Sequence, residues 1–239
     1  MSLVVTVCTR EGIAMAADSR LTASFTRDQQ AAVQTIISTP SSDSASKLFM
    51  AAGGIGISTY GLATVNGAPI AGVIESFIID RLSRREVSPR EVAVALRSYF
   101  QQLGVLQQTY FHIAGYCLTH DSHEQEVLGL DIASGEITRL NTWSSGAAWA
   151  GETDVLQRLL SDVCVMDSAG QITSKVGGYG IPFDLFTLQD AIDFCTYAVR
   201  STIDTMRFQL REKTVGGPID VLVLKPGQAS WIAKKQLHV

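Results

Sequence analysis

The chain has 239 residues, 46% of them hydrophobic and 18% charged, with a formal net charge of −4. That length and balance describe a globular chain able to bury a substantial core, not a disordered one. The mild negative charge, with no basic block, argues against nucleic acid or an anionic membrane surface as the main partner. No 18-residue apolar run and no basic-then-apolar leader occurs, so neither a membrane span nor export is expected, and the reading is cytoplasmic. Cys8, Cys117, Cys164 and Cys195 are scattered without CxxC or metal-type spacing and read as reduced thiols.

In chain order, Leu3 to Cys8 alternates and is β-branched, which reads as a strand. Glu11-Gly12 turns it, and Ile13 to Ala17 returns as the second arm of a hairpin. Asp18-Ser19-Arg20 then sits just past that arm, where side chains can leave the sheet. Residues 22–46 turn polar and Ser/Thr/Gln-rich. They are expected to form a flap outside the core, with a short strand at Val33 to Ser38. Lys47 to Met50 and Ile55 to Thr59 read as strands around a Gly53-Gly54 turn, closing on Tyr60-Gly61-Leu62-Ala63.

Thr64 to Arg85 reads as a long helix with a stripe through Ile70, Val73, Ile74, Phe77, Ile78 and Leu82. Its apolar residues extend around more of the circumference than one core-facing stripe needs, which points to an interface. Ser88-Pro89-Arg90-Glu91 is a capping box with Pro at the first helical position, opening a helix to about Leu103. Residues 109–149 read as a meander with strands at Tyr110 to Thr119, Glu126 to Asp131, Glu136 to Asn141 and Gly146 to Ala150. Helices follow at Asp154 to Leu160 and Leu188 to Arg211, then a Gly216-Gly217-Pro218 break and a last hairpin, Ile219 to Leu224 and Ala229 to Ala233. Strands, two helices, strands, two helices, strands predicts one α+β domain over 1–239: two sheets face to face with helix pairs outside, a four-layer αββα sandwich.

The chemistry concentrates at the start. A small residue after Met1 normally allows the Met to be removed, leaving Ser2 with a free α-amine beside its own hydroxyl. A hydroxyl is a weak nucleophile that needs a base, and an N-terminal amine of pKa about 8 can serve. Read alone, Ser2 is equally a small residue that permits processing. Asp18 with Arg20 reads alone as a polar hairpin end, Lys47 as a solvated charge, and Gly61 as a strand-ending glycine. His112, His120, His123 and His238 have no metal or triad spacing, and no metal or cofactor is expected.

"TREGIAMAADSR", "SKLFMAAGGIGISTYGLA" and "VGGPIDVLVLKPG" resemble the β-type subunits of the proteasome and its bacterial relatives, which are N-terminal nucleophile hydrolases with an αββα sandwich. Ser2 precedes Asp18 by 16 residues, and Lys47 precedes Gly61 by 14, the family's intervals. The resemblance implies that Ser2 attacks an amide through an acyl-enzyme. Asp18 would hold the Lys47 ammonium, whose charge would depress the nucleophile's pKa, and the Gly61 N–H would face the oxyanion. Arg20 belongs to the same motif.

The chain departs from the pattern at several points. The nucleophile is Ser instead of Thr, and the interval from Asp18 to Lys47 is longer. Glu152 stands where the family has a serine, Glu212 replaces its distal aspartate, and Val215 replaces another serine. Either Glu152 and Glu212 take over part of the amine's hydrogen bonding, or the relay is incomplete. No propeptide precedes Met1, so Met1 removal alone is expected to activate the site.

The implied protein is a self-compartmentalising peptidase of stacked homo-oligomeric rings, twelve or fourteen copies, acting on polypeptides. An ATP-dependent unfoldase fits as its partner. A catalytically silent ring subunit and a small-molecule amidase are the other readings.

Overall fold

The computed structural model describes residues 2–27, 35–82, 87–105, 107–119, 122–141 and 144–236. Met1, His120 and His238, residues 33–34 of the expected flap strand, and residues 83–86 at the end of the expected helix lie outside the described residues.

The chain opens with β1 (Leu3–Thr9) and β2 (Gly12–Ala17), then β3 (Leu21–Arg27) and β4 (Thr35–Ser42). β5 (Leu48–Ala51) and β6 (Ile55–Gly61) follow, and then the short arms β7 (Thr64–Val65) and β8 (Ala68–Pro69). Next come α1 (Ile70–Phe77), prolonged by a π-helical turn Ile78–Leu82, and α2 (Pro89–Gln102). β9 (Thr109–Thr119), β10 (Ser122–Asp131), β11 (Ile137–Arg139) and β12 (Gly146–Gly151) form the middle of the chain. α3 (Asp154–Leu160), β13 (Val163–Met166), β14 (Ile172–Val176), α4 (Leu188–Phe208), β15 (Asp220–Lys225) and β16 (Gln228–Ala233) complete it.

Two five-stranded sheets carry the fold, in the orders β12-β1-β2-β15-β16 and β11-β10-β9-β6-β5, with every pairing antiparallel. Every residue of β1 and β2 is buried, because both faces of that sheet are covered. The two-residue side-chain period sorts them. Leu3, Val5, Val7, Ala14 and Ala16 pack with Ala191, Cys195, Ala198 and Val199 of α4 and Leu156 of α3. Val4, Cys8, Ile13, Met15 and Ala17 pack instead between the sheets, with Leu48, Ala114 and Val127. On the far side Ile70, Ile74, Phe77, Leu96 and Phe100 of α1 and α2 cover Ile55, Ile57, Phe111, Ile113 and Leu130. These three clusters are the three interfaces of an αββα sandwich, the α+β architecture expected. Each fully buried Leu, Ile or Phe stabilises it by about 1.5–3 kcal/mol. A charge at Met15, in the middle layer, would break it.

Several expectations need correction. The helix expected from Thr64 starts at Ile70. Asn66 and Gly67 both have positive φ (49° and 80°), the mirror-image turn that closes a two-residue hairpin, so Thr64–Val65 and Ala68–Pro69 pair as strands instead. Along that helix Ile70, Ile74, Phe77 and Leu82 are buried, Val73 and Ile78 pack partly against the same core, and Ile79 is exposed at 66%. In place of one short strand at Val33 to Ser38, residues 21–27 and 35–42 form β3 and β4, which pair with each other and with neither large sheet. The second meander strand begins at Ser122, and α4 ends at Phe208, because Gln209 turns extended. Finally, a hairpin, β13–β14, stands between α3 and α4 where no strand was expected.

Candidate active site

The β1–β2 hairpin has a two-residue turn, and its register pairs Thr9 with Gly12 and Val4 with Ala17. That register brings Leu3 opposite Asp18 and leaves Ser2 at the same sheet end. Asp18 is fully buried, and its carboxylate accepts four hydrogen bonds. Oδ1 accepts from the Leu3 N–H (3.0 Å) and from Lys47 Nζ (2.8 Å). Oδ2 accepts from the backbone N–H groups of Arg20 (3.1 Å) and Gly216 (3.0 Å). Four donors, from residues 3, 20, 47 and 216, hold the carboxylate in one orientation.

Lys47 lies just ahead of β5, 5% exposed, and its carbonyl accepts from the Thr59 N–H at 2.9 Å. Burial lowers its pKa by penalising the charged form, and the adjacent Asp18 carboxylate opposes that effect. Ser2 is buried, 7% exposed. Its carbonyl accepts from the Glu152 N–H at 2.8 Å. Gly151, with φ 95°, backs onto it, and a Cβ there would lie 1.9 Å from the Ser2 oxygen, so only glycine fits. Gly61 ends β6 with φ 103°, and a Cβ there would meet the Gln108 carbonyl at 2.4 Å.

Ser2, Lys47, Thr59 and Gly61 share one cavity of about 280 Å³, whose far wall is apolar: Leu21, Leu62, Ala63, Pro69 and Ile70. A larger cavity of about 500 Å³, lined by Arg10, Glu11, Tyr116, Gln125 and Arg139, contains none of these residues. Among the described residues, no group of three or more His, Cys, Asp or Glu side chains could hold a metal ion.

Arg20 works through its surroundings. Its guanidinium forms a two-point pair with Asp43 (2.6 and 2.7 Å), just beyond β4, and donates to the Lys213 carbonyl at 3.2 Å. The hydrogen bond to Asp43 raises the Arg20 pKa, and the same bond lowers that of Asp43. The pair ties the base of the β3–β4 hairpin to the segment carrying Gly216.

Glu152 is held by Arg211 (2.7 Å) and by the Thr214 hydroxyl (3.1 Å), and Arg211 also reaches Asp154 at 2.6 Å. Glu212 is exposed and does not line the Ser2 cavity, and Val215 is buried in the cluster under α4. The structure thus gathers Ser2, Arg20, Lys47 and Gly61 around one cavity, with Asp18 buried behind Lys47 and Glu152 beside Ser2, and leaves Glu212 outside.

Sequence reasoning missed Gly216, Arg211 and Thr214. It also missed a second buried ion pair, Asp220 with Lys235, whose backbone N–H donates to Asp220 at 2.8 Å. Asp220 pairs across the sheet with Ala17, the neighbour of Asp18.

No protein-family model and no curated protein sequence matches the chain. Solved structures do resemble it. A Gly-1 mutant of Anbu from Hyphomicrobium sp. strain MC1 is 15% identical, covering 96% of this chain and 85% of that one, with a TM-score of 0.58. A second Hyphomicrobium Anbu structure is 16% identical over 98% of this chain and 88% of that one, at 0.55. Anbu (ancestral beta-subunit) from Yersinia bercovieri is 16% identical over 97% of this chain and 87% of that one, at 0.56. With the layer order and sheet topology above, these likenesses show that the chain has the proteasome-like αββα fold of the Anbu structures.

Proposed function

We propose that this chain is an amide-bond hydrolase whose nucleophile is Ser2, exposed as the N-terminal residue by removal of Met1. One observation supports it most: a single buried oxygen, Asp18 Oδ1, joins the Leu3 N–H to the Lys47 ammonium, with Ser2 opening on the same cavity. In the mature protein the α-amine of Ser2 takes the proton from Oγ as that oxygen bonds to the substrate carbonyl carbon. Lys47 favours the negative charge gathering on Oγ, and the Gly61 N–H stabilises the oxyanion. Collapse expels the amine, which takes the proton from the Ser2 ammonium. Water, deprotonated by the same amine, then releases the acid and restores Oγ–H. Glu152 and Arg211 hold the strand end against which Ser2 rests.

The reading extends to the assembly. A neighbour of the same fold is described as a beta-subunit. We read this chain likewise as a homo-oligomeric ring subunit of a self-compartmentalising peptidase, acting on polypeptides fed by an unfoldase. No helix among the described residues is long and apolar enough to cross a membrane, and all four cysteines are free, which fits a reducing cytoplasm.

Intact-mass measurement and labelling with a β-lactone test the proposal. Loss of the Met1 mass together with one covalent adduct on Ser2, absent from Ser2→Ala, is expected. Retention of Met1, or equal labelling of the alanine variant, overturns it in favour of a silent subunit.

A further inference from the structure

Between α3 and α4 the chain runs through 20 consecutive exposed residues, 161–180. β13 and β14, at the centre of this run, pair only with each other. A lone two-stranded hairpin is marginal in water. This one also exposes Val163, Val165, Met166, Ile172 and Val176, each about half or more accessible. Their alternation puts apolar side chains on both faces, so no single packing against the sandwich would cover them.

The two edges of the hairpin differ. β14 carries Lys175 and a bulge, since Val165 pairs with Ser174 and Met166 with Ile172, leaving Thr173 as the extra residue. Charges and bulges are the devices that keep a strand edge from pairing further. β13 has neither: it reads Val-Cys-Val-Met, without charge, proline or extra residue, bounded by Asp162 and Asp167. Its edge is open.

We infer that β13 pairs antiparallel with β13 of a second copy of this chain, about a two-fold axis at Cys164. The flanking charges choose the register. Centred on Cys164, Val163 faces Val165 of the partner subunit and the aspartates avoid one another. Centred one half-step later, Asp162 would face Asp167 of the partner subunit, and like charges directly opposite are unfavourable. The strand is therefore self-matching, as a two-fold contact requires. The inference rests on the proposed self-association and names a surface for it.

The test uses the full chain. In the two-fold register the Cys164 thiols lie opposite each other, at the Cα separation of about 5.5 Å that a disulfide accepts. Mild oxidation with copper–phenanthroline is expected to give a disulfide-linked dimer on non-reducing gels, absent from Cys164→Ser. Val165→Asp places a charge on an exposed strand, so folding should survive, as circular dichroism will verify. Its mass by light scattering is expected to fall at least twofold below wild type. An unchanged mass together with no cross-link overturns this contact and leaves self-association standing. A cross-link that persists in Cys164→Ser overturns the register. A monomeric wild type overturns both contact and assembly, while Ser2 labelling reports separately on the chemistry.

Discussion

Asp18 Oδ1 stands 2.8 Å from Lys47 Nζ and 3.0 Å from the Leu3 nitrogen, so the buried cation is fixed relative to the peptide unit that follows Ser2. The two partners are not equivalent. Replacing Lys47 by Met leaves Asp18 with three backbone donors, whereas Asp18→Ala leaves a buried ammonium without its carboxylate. The expected loss for Asp18→Ala is about 3–5 kcal/mol, with a smaller one for Lys47→Met. The double variant should recover part of the loss. Urea unfolding of the three variants measures this. β-lactone labelling should fall about 10²–10³-fold in Lys47→Met although the fold is kept. Normal labelling there would remove Lys47 from the chemistry.

The pH dependence of labelling follows from the same cavity. The Ser2 amine must be neutral to accept a proton, so labelling falls on the acid side as that amine becomes charged. Lys47 must be charged, and burial lowers its pKa, so the alkaline limb is expected below the ordinary lysine value of about 10.4. Lys235 also acts on Lys47 and lowers its pKa further, as does Arg20, while Asp18 raises it. Lys235→Met removes one of these cations, which favours the charged form of Lys47. The alkaline limb should therefore move to higher pH. A limb that stays in place, or moves down, would contradict this reading of the site.

Gly151 makes a prediction of a different kind. A methyl group at this position would overlap the Ser2 carbonyl, and φ 95° is strained for alanine as well. Gly151→Ala should displace Ser2 from Lys47 and lower labelling by tenfold or more, a size usual for small misplacements of a reacting group. Thermal melting should show a smaller effect than a core truncation such as Phe100→Ala, at about 3–5 kcal/mol. Full labelling would mean that Ser2 does not need this seat.

The layer order was legible because apolar alternation in β1 and β2, and the Ser88 capping box of α2, act locally. The approach of Asp18 to the peptide after Ser2 was only partly legible: the expected Glu11-Gly12 turn would set Arg10 opposite Ile13, whereas the turn is Arg10-Glu11 and Thr9 pairs with Gly12. Asn66-Gly67 was a local signal that was overlooked, its flanking residues being apolar enough to read as helix. β13 was hidden by its brevity, four residues whose partner strand comes after a polar turn. The Glu152–Arg211–Thr214 contacts could not be read, because residues about 60 positions apart meet there only through the sheet order. Glu212 shows the same limit. In the irregular segment after α4, position along the chain does not determine which way a side chain points.

His112 supplies a prediction about stability away from the cavity. It lies in β9 between Phe111 and Ile113, which face α1 and α2, so its own side chain turns to the layer between the sheets. There it is 2% exposed, its Nδ1 is 3.4 Å from Thr6 Oγ1, and the Tyr60 ring meets it edge-on at 5.6 Å. Burial pushes its pKa down to about 4, against about 6.5 in an unfolded chain. Between those values the unfolded chain binds the extra proton and the native protein does not. Stability therefore rises with pH across this window and is lost as pH falls from about 6.5 towards 4. The loss amounts to about 3 kcal/mol for this one group. Carboxylate titrations are shared by any variant, so a comparison isolates the histidine. The stability difference between wild type and His112→Leu, from urea unfolding at pH 7.5 and at pH 4, should shift by about 3 kcal/mol in favour of the variant at acid pH. Two parallel stability curves would show that the ring takes up its proton in the native state, and the buried neutral imidazole would have to be abandoned.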